Sequence, residues 1–413
     1  MKYTKTLLLA LLSFSSLFAC TVLTVTDGEQ IYAASNKDWN NSATRLRCYA
    51  ATAEKYGRLY FGYQIPEGFQ NVEGINDQGL WYSGASLPGR GDIANHSNKP
   101  TVSGELCEKV LAECASVSEV VELYRQYFTP HWQGHTLWAD SAGNSVIIEY
   151  ADSDLVFLYP GDDYQLMTNF YLCDTLLRDW YDCYRFELAG SLLQNRSETG
   201  PAMIRKLLEN VHQEGLYPTV SSNIYDLKSG EMEIHYFHRY TESICLNAYA
   251  LMAAGDAYIA LPELYNGIEL LSPLDGDVTD PGTVTLEWNG DADAYKVFCS
   301  ADKNFQDCEP FLYTAVKPAG PGIVGLALCV LLALAGWLRR RGKRAVMLIL
   351  IGLAILAAGC DLGMVTSPLH PSKRHHTMQL TDLDSNTVCY WKVEVHHENG
   401  VCNRSTPQYF YNW

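Results

Sequence analysis

Hydrophobic and polar positions alternate with a period of two over Thr21–Thr26 and Ile31–Ser35, and Asp27-Gly28 between them is a hairpin-turn pair. The pattern predicts two paired strands, with Cys20 opening the first. Helical spacing takes over in Glu105–Leu111 and Val117–Tyr127, the second run introduced by Ser116 with Glu119 three residues on, the spacing of a capping box. It returns in Thr175–Leu193 and Pro201–His212, where Pro201 stands in the first turn and Gly215 beyond the end. Strand-like runs at Ser145–Glu149 and Glu231–Tyr240 intervene. Strand pairs interleaved with helix pairs predict an α+β layered domain over residues 20–268.

The character changes after Leu271, where Ser272-Pro273-Leu274-Asp275-Gly276 leads into short strands at Val284–Trp288 and Tyr295–Cys299. These resume at Met378–Leu380, Val388–Val395, an Asn399-Gly400 turn and Gln408–Tyr411, so residues 269–413 read as an all-β module. Its placements of Trp288, Tyr295 and Tyr390-Trp391 resemble a fibronectin type III domain. Two uncharged apolar runs, 322–338 and 345–360, interrupt it around Arg339-Arg340-Arg341-Gly342-Lys343-Arg344. Each approaches the ~20 residues that cross ~30 Å of hydrocarbon, so the pair is expected to form a transmembrane helical hairpin. The basic turn places its tip in the cytoplasm and both flanking β segments outside. A buried core hairpin is the alternative.

At the other end, Lys2 and Lys5 precede an apolar Leu7–Leu12 run, and the small Ala19 stands immediately before Cys20. Residues 1–19 therefore read as a secretory signal peptide, whose removal makes Cys20 the first residue of an exported chain. Thirteen cysteines in such a chain make disulfides an expectation, with Cys107/Cys114, Cys173/Cys183, Cys299/Cys308 and Cys389/Cys402 the close-spaced candidates. None has the CxxC spacing of a zinc site, so disulfides or free thiols are favoured over metal. The formal net charge of -17 argues against nucleic acid as a partner.

Familiar catalytic signatures are missing: the chain has no GxSxG, no GxxxxGK[ST] and no HExxH. His131 and His135 straddle Gly134, His235 and His238 fall on opposite faces of a strand-like run, and His375-His376 and His396-His397 are merely adjacent. All are read as surface or strand histidines, with metal binding the alternative. Cys20 differs because an N-terminal cysteine carries nucleophile and base together. An α-amine titrating near ~7.7–8.0 can take the thiol proton without a histidine. A lipid-anchored cysteine, since Leu17-Phe18-Ala19-Cys20 approximates a lipobox, and an ordinary disulfide cysteine are the competing readings.

An ordered set of neighbours bears on that choice: Cys20-Thr21, Asp27-Gly28, Asn36-Lys37-Asp38-Trp39, Tyr56 to Gly62, Gly74-Ile75-Asn76-Asp77-Gln78-Gly79-Leu80, Thr168-Asn169 and Ser222 to Leu227. Together they resemble the linear amide C–N hydrolases, the N-terminal-nucleophile (Ntn) group that contains choloylglycine hydrolases, penicillin V acylases and related acyltransferases. The resemblance implies a four-layer αββα domain and hydrolysis of a small-molecule acyl amide through a Cys20 thioester, with no cofactor. It implies Cys20 as nucleophile, Asp38 as the carboxylate that orients the N-terminal amine, and Asn169 as an oxyanion donor. Ser86 stands where the family has a second oxyanion Asn, and Ser35 where bile acid hydrolases have an Arg before the N-x-D step. Arg185 stands for the family's later active-site Arg, a helix-surface ion pair being the alternative. Acyl transfer, dipeptidase activity and a non-catalytic lipid-anchored binding protein are the other functions consistent with the pattern.

Overall fold

The computed structural model describes residues 20–88, 98–102, 105–129, 134–151, 154–174, 183–280, 283–315, 374–381, 383–397 and 400–412. Residues 1–19, the apolar runs 322–338 and 345–360, and His131 lie outside them. Among the described residues no helix is long and apolar enough to cross a membrane.

The chain begins with a hairpin of β1 (Thr21–Thr26) and β2 (Ile31–Asp38). Its turn is fixed by the Asp27 carboxylate, which accepts from Glu29 N at 3.0 Å and Gln30 N at 2.7 Å, and by Gly28 at φ +92°. A meander follows: β3 (Thr44–Tyr49), β4 (Arg58–Ile65), β5 (Gly68–Asn76) and β6 (Trp81–Ser86). Helices α1 (Leu106–Glu113) and α2 (Val117–Gln126) come next. The Ser116 cap forms as its spacing predicts, Ser116 Oγ accepting from Glu119 N at 3.4 Å, while the Glu119 carboxylate turns back one residue further than a capping box, to Ala115 N at 2.7 Å. After β7 (Gly134–Ala139), β8 (Ser145–Ala151), β9 (Asp154–Leu158) and β10 (Tyr164–Met167) stand helices α3 (Tyr184–Gln194) and α4 (Pro201–Asn210). β11 (Thr219–Asp226), β12 (Glu231–Tyr236), β13 (Glu242–Asn247), helix α5 (Ala248–Ala254) and β14 (Ala257–Ala260) complete this part.

These elements stack in four layers. One sheet runs β14-β3-β4-β5-β6-β7-β8-β9. It packs against a second sheet through Leu46, Leu59, Phe61, Ile75 and Leu137 on one side and Val22, Ala33, Ile234 and Ile244 on the other. α1 and α2 cover the outer face of the first sheet over Tyr60, Tyr82, Trp138 and Ile148. α3 and α4 cover the second over Leu23, Val25, Ala34 and Ile224. Strands covered on both faces bury every position, which is why β2 carries eight buried residues in a row where the sequence reads as alternating.

The remaining strands are β15 (Glu269–Ser272), β16 (Asp277–Thr279), β17 (Thr283–Gly290), β18 (Ala294–Ser300), β19 (Phe311–Thr314), β20 (Arg374–Thr381), β21 (Thr387–His396), β22 (Cys402–Ser405) and β23 (Gln408–Asn412). A three-stranded sheet, β15-β17-β20, closes over Trp288, Trp391, Val393 and Phe410 in an all-β core. The module does not stand apart from the first domain. β22 pairs with β13, so the second sheet continues through β10-β1-β2-β11-β12-β13-β22-β21-β18-β19. The buried Glu242 side chain fastens the seam, accepting from Asn266 N at 3.0 Å, Ile268 N at 3.0 Å and Asn403 Nδ2 at 2.9 Å.

Two expectations are corrected. The described cysteines are all free thiols. The close-spaced candidates point elsewhere: Cys107 toward the Tyr124 hydroxyl, Cys183 toward Thr168 Oγ1, Cys308 toward the Cys299 carbonyl and Cys402 toward Glu394. The second is the surface reading of the histidines: His135, His235 and His376 lie in strands, the other half of that reading, and are buried.

Candidate active site

The site is built where the first residues of β1 meet the end of β2, the loop after β10 and the first turn of α3. Cys20 N–H donates to Asn169 Oδ1 at 2.6 Å. Arg185, buried at the start of α3, donates from one guanidinium nitrogen to the Cys20 carbonyl at 2.8 Å and to Thr21 Oγ1 at 3.0 Å. Its other terminal nitrogen reaches Asn169 Oδ1 at 3.2 Å. The same side chain stands 3.8 Å from Asp38 Oδ2. Asn169 Nδ2 donates to the Ser86 carbonyl at 2.8 Å. One cluster therefore contains Cys20, Ser86, Asn169 and Arg185, joined by hydrogen bonds, and Asp38, joined by the ion pair.

The connections inside the cluster differ from those the resemblance implies. The Cys20 nitrogen is held by Asn169, not by the Asp38 carboxylate. Asp38 Oδ1 instead accepts from Thr219 Oγ1 at 2.5 Å, and Oδ2 is buried with no hydrogen bond among the described residues. Ser86 contributes its carbonyl oxygen. Arg185 is 9% exposed, which excludes the helix-surface alternative.

Burial sets the protonation states. It pushes Asp38 up to about 7, against the Arg185 charge and the Thr219 hydrogen bond that favour ionisation. Burial also raises the Cys20 thiol. The Asp38 charge adds to the rise, while Lys37, Arg185 and the Asp38 backbone N–H oppose it. Such a thiol does not ionise unaided at neutral pH and needs a nearby proton acceptor.

Sequence reasoning missed the support beneath these groups. Lys37, 1% exposed, donates to Ser83 Oγ at 2.5 Å and to the Gly84 carbonyl at 3.1 Å, and lies 3.5 Å from Glu73 Oε2. Glu73 accepts in turn from Ser35 Oγ at 2.5 Å, Tyr225 Oη at 2.7 Å and Asn223 Nδ2. Behind Asn169, the buried His135 faces Glu149 Oε1 at 2.7 Å through Nδ1 and the Thr168 carbonyl at 2.5 Å through Nε2. Burial works against the Glu149 charge, but His135 prevails and holds its carboxyl below the usual range. The carboxylate also accepts from Leu172 N and Cys173 N, which pins the loop that presents Asn169. Lys37 lies two residues beyond the strand that the alternation predicts, within the Asn36-Lys37-Asp38 stretch, and its partner on another sheet was not readable.

Glu394, His396 and Cys402 place three donor atoms within 4.8 Å of one another on the all-β module. Glu394 Oε1 already takes Lys392 Nζ at 2.7 Å and Arg404 Nε at 2.8 Å, and these two cations oppose a metal ion there. A cavity of about 480 Å³ lined by Tyr49, Arg58, Tyr60 and Glu105 lies on the helix-covered side of the first sheet, with no residue of the Cys20 cluster in its wall.

No family model matches the chain, and no curated protein matches it in sequence. Among solved structures it is similar to penicillin V acylase from Agrobacterium tumefaciens, at 19% identity and a TM-score of 0.44, over 52% of this chain and 82% of that one. Two point variants of conjugated bile acid hydrolase from Clostridium perfringens are also similar. One has 17% identity and a TM-score of 0.42 over 53% and 89% of the two chains, the other 16% and 0.45 over 58% and 96%. At identities and scores this low the likeness carries no functional argument.

Proposed function

We propose that the chain is an exported hydrolase of linear, non-peptide amide C–N bonds that uses Cys20 as an N-terminal nucleophile once residues 1–19 are removed. The observation that carries this reading is the grip on Cys20 at both ends of its backbone: its nitrogen on Asn169 and its carbonyl on Arg185, the two joined to each other. A cysteine with an ordinary packing role needs no such fixation.

In the proposed reaction the freed α-amine accepts the thiol proton, which the raised Cys20 thiol does not release by itself. The thiolate attacks the amide carbonyl carbon, and the C=O electron pair moves onto oxygen. One Asn169 Nδ2 hydrogen is given to Ser86, and the second is the donor this oxyanion requires. Collapse breaks the C–N bond, the leaving amine takes the proton from the Cys20 ammonium, and a thioester remains. Water, deprotonated by the same amine, hydrolyses the thioester to a carboxylic acid and regenerates the thiol. The buried Asp38 Oδ2, which takes no hydrogen bond among the described residues, is an acceptor available to the extra N–H bonds that the amine gains on leaving Ala19.

The apolar runs 322–338 and 345–360 are read as a membrane hairpin inserted in a fibronectin III-like module, which tethers the catalytic domain outside the cytoplasm. The test of the catalytic reading is the intact mass of the purified protein together with turnover of an acyl-amide panel. The expected result is a chain beginning at unmodified Cys20 whose hydrolysis is abolished by Cys20→Ala. A lipidated Cys20, or hydrolysis that survives Cys20→Ala unchanged, overturns it.

A further inference from the structure

Lys37 is a cation without solvent. It occupies β2, a strand covered on both faces, and its ammonium lies between the two sheets, donating to Ser83 Oγ, the Gly84 carbonyl and, at 3.4 Å, the Val72 carbonyl. An ammonium has three N–H bonds, and all three are used. Its counterion, the fully buried Glu73, is filled just as completely by Ser35, Tyr225 and Asn223. A buried ion pair is weak support for stability, because desolvation offsets the attraction and apolar replacements of similar volume are often at least as stable. Packing alone therefore does not explain why a charge pair with this many partners sits in the interface between the sheets.

Its position relative to Cys20 does. In the antiparallel ladder Thr21 pairs with Asn36, so the next rung sets Cys20 opposite Lys37. Residues on one rung project to the same face. On the other side Lys37 pairs with Ser221, so the lysine is the central member of the row that begins with the cysteine. Its hydrogen bonds to Ser83 and Gly84 also anchor the end of β6, whose Ser86 carbonyl holds Asn169.

We infer that Lys37 is a positioning residue for the nucleophile: its ammonium, fixed by Glu73 and β6, stabilises the Cys20 thiolate and sets the pH at which it forms. This rests on Cys20 being the nucleophile. Of the charges acting on the thiol, Lys37 is the one that lowers it most. Fixing the cation through Glu73 keeps it in the row that begins with Cys20.

The test uses the full chain and the rate of iodoacetamide alkylation at Cys20, followed by peptide mass spectrometry between pH 5 and 10, in which the thiolate displaces iodide. Lys37→Met is expected to slow alkylation at neutral pH on the order of tenfold and to move the inflection upward by about one pH unit. The double variant Lys37→Met/Glu73→Gln, which leaves no buried charge, is expected to show the same shift with an unchanged circular dichroism spectrum. It keeps the test valid should the single variant fail to fold. A profile of the folded double variant that superimposes on the parent's overturns the role of Lys37. A parent Cys20 that alkylates without any inflection overturns the nucleophile reading itself, and the inference with it.

Discussion

Replacing Arg185 with Met keeps most of the side-chain volume while removing the charge that joins the site, and it separates two accounts of this residue. An exposed helix arginine contributes about 0–1 kcal/mol through its ion pairs. The structure instead gives Arg185 three hydrogen bonds, at 2.8, 3.0 and 3.2 Å, and a carboxylate 3.8 Å away. Near pH 8, about one unit above the folded Asp38 value, re-protonation of the stranded carboxyl caps its cost at about 1.4 kcal/mol, so with the lost hydrogen bonds the loss expected there is about 2–3 kcal/mol. The pH dependence follows from Asp38. Its folded value, about 7, lies above its value in the unfolded chain, so the folded state binds more protons between the two and stability falls as pH rises through that window. Removing Arg185 takes away the largest influence that favours the ionised form, so the fall extends to higher pH in the variant. At pH 5 Asp38 is largely protonated in both folded proteins, and only the lost hydrogen bonds to Cys20, Thr21 and Asn169 remain, about 1–2 kcal/mol. Urea denaturation of parent and variant at pH 5 and pH 8, read by tryptophan fluorescence, measures both numbers, and Arg185→Met/Asp38→Asn should lose the pH-dependent part. A destabilisation below about 1 kcal/mol at both pH values, or one that does not change with pH, would refute the reasoning.

Three further outcomes are expected. Gly62 lies at the register shift between β4 and β5, where an added Cβ would overlap the Gln70 carbonyl oxygen, so Gly62→Ala should lower stability by about 1–3 kcal/mol in a thermal melt; an unchanged midpoint would show that the strands move apart freely. Glu242→Ala strands the donors of Asn266, Ile268 and Asn403 and should raise amide exchange in β22 more than in β1, whereas unaltered protection of Cys402–Ser405 would mean that the seam holds without the carboxylate. In sealed vesicles, a cysteine placed at Arg340 should react only with reagent on the cytoplasmic side, and recovery of the whole chain in a soluble fraction would refute the hairpin.

What depends on near neighbours was legible along the chain. The Asp27-Gly28 hairpin, the Ser116 and Glu119 cap, the helix behind Pro201 and the change to short strands after Leu271 are all local, since turn chemistry, capping and periodicity act over a few residues. The order Cys20, Asp38, Ser86, Asn169, Arg185 was likewise visible as candidate chemistry, and folding brings these residues into one cluster. Which residue holds which came from the packing of the sheets. Cys20 and Asn169 are 149 positions apart, Ser35 and Glu73 come from different sheets, and Glu242 reaches Asn403 across 161 residues. Those pairings follow from how two covered sheets register against each other, and strand periodicity is blind to which of two buried faces meets which partner. The same blindness placed the cysteines in close-spaced pairs, when Cys107, Cys183, Cys308 and Cys402 reach instead a tyrosine, a threonine, a backbone carbonyl and a glutamate, and Cys299 meets Cys389 across the β18 and β21 ladder. It also hid the continuation of one sheet from the first domain into the module that follows it, since the join between β13 and β22 is made by backbone hydrogen bonds that carry no side-chain signature.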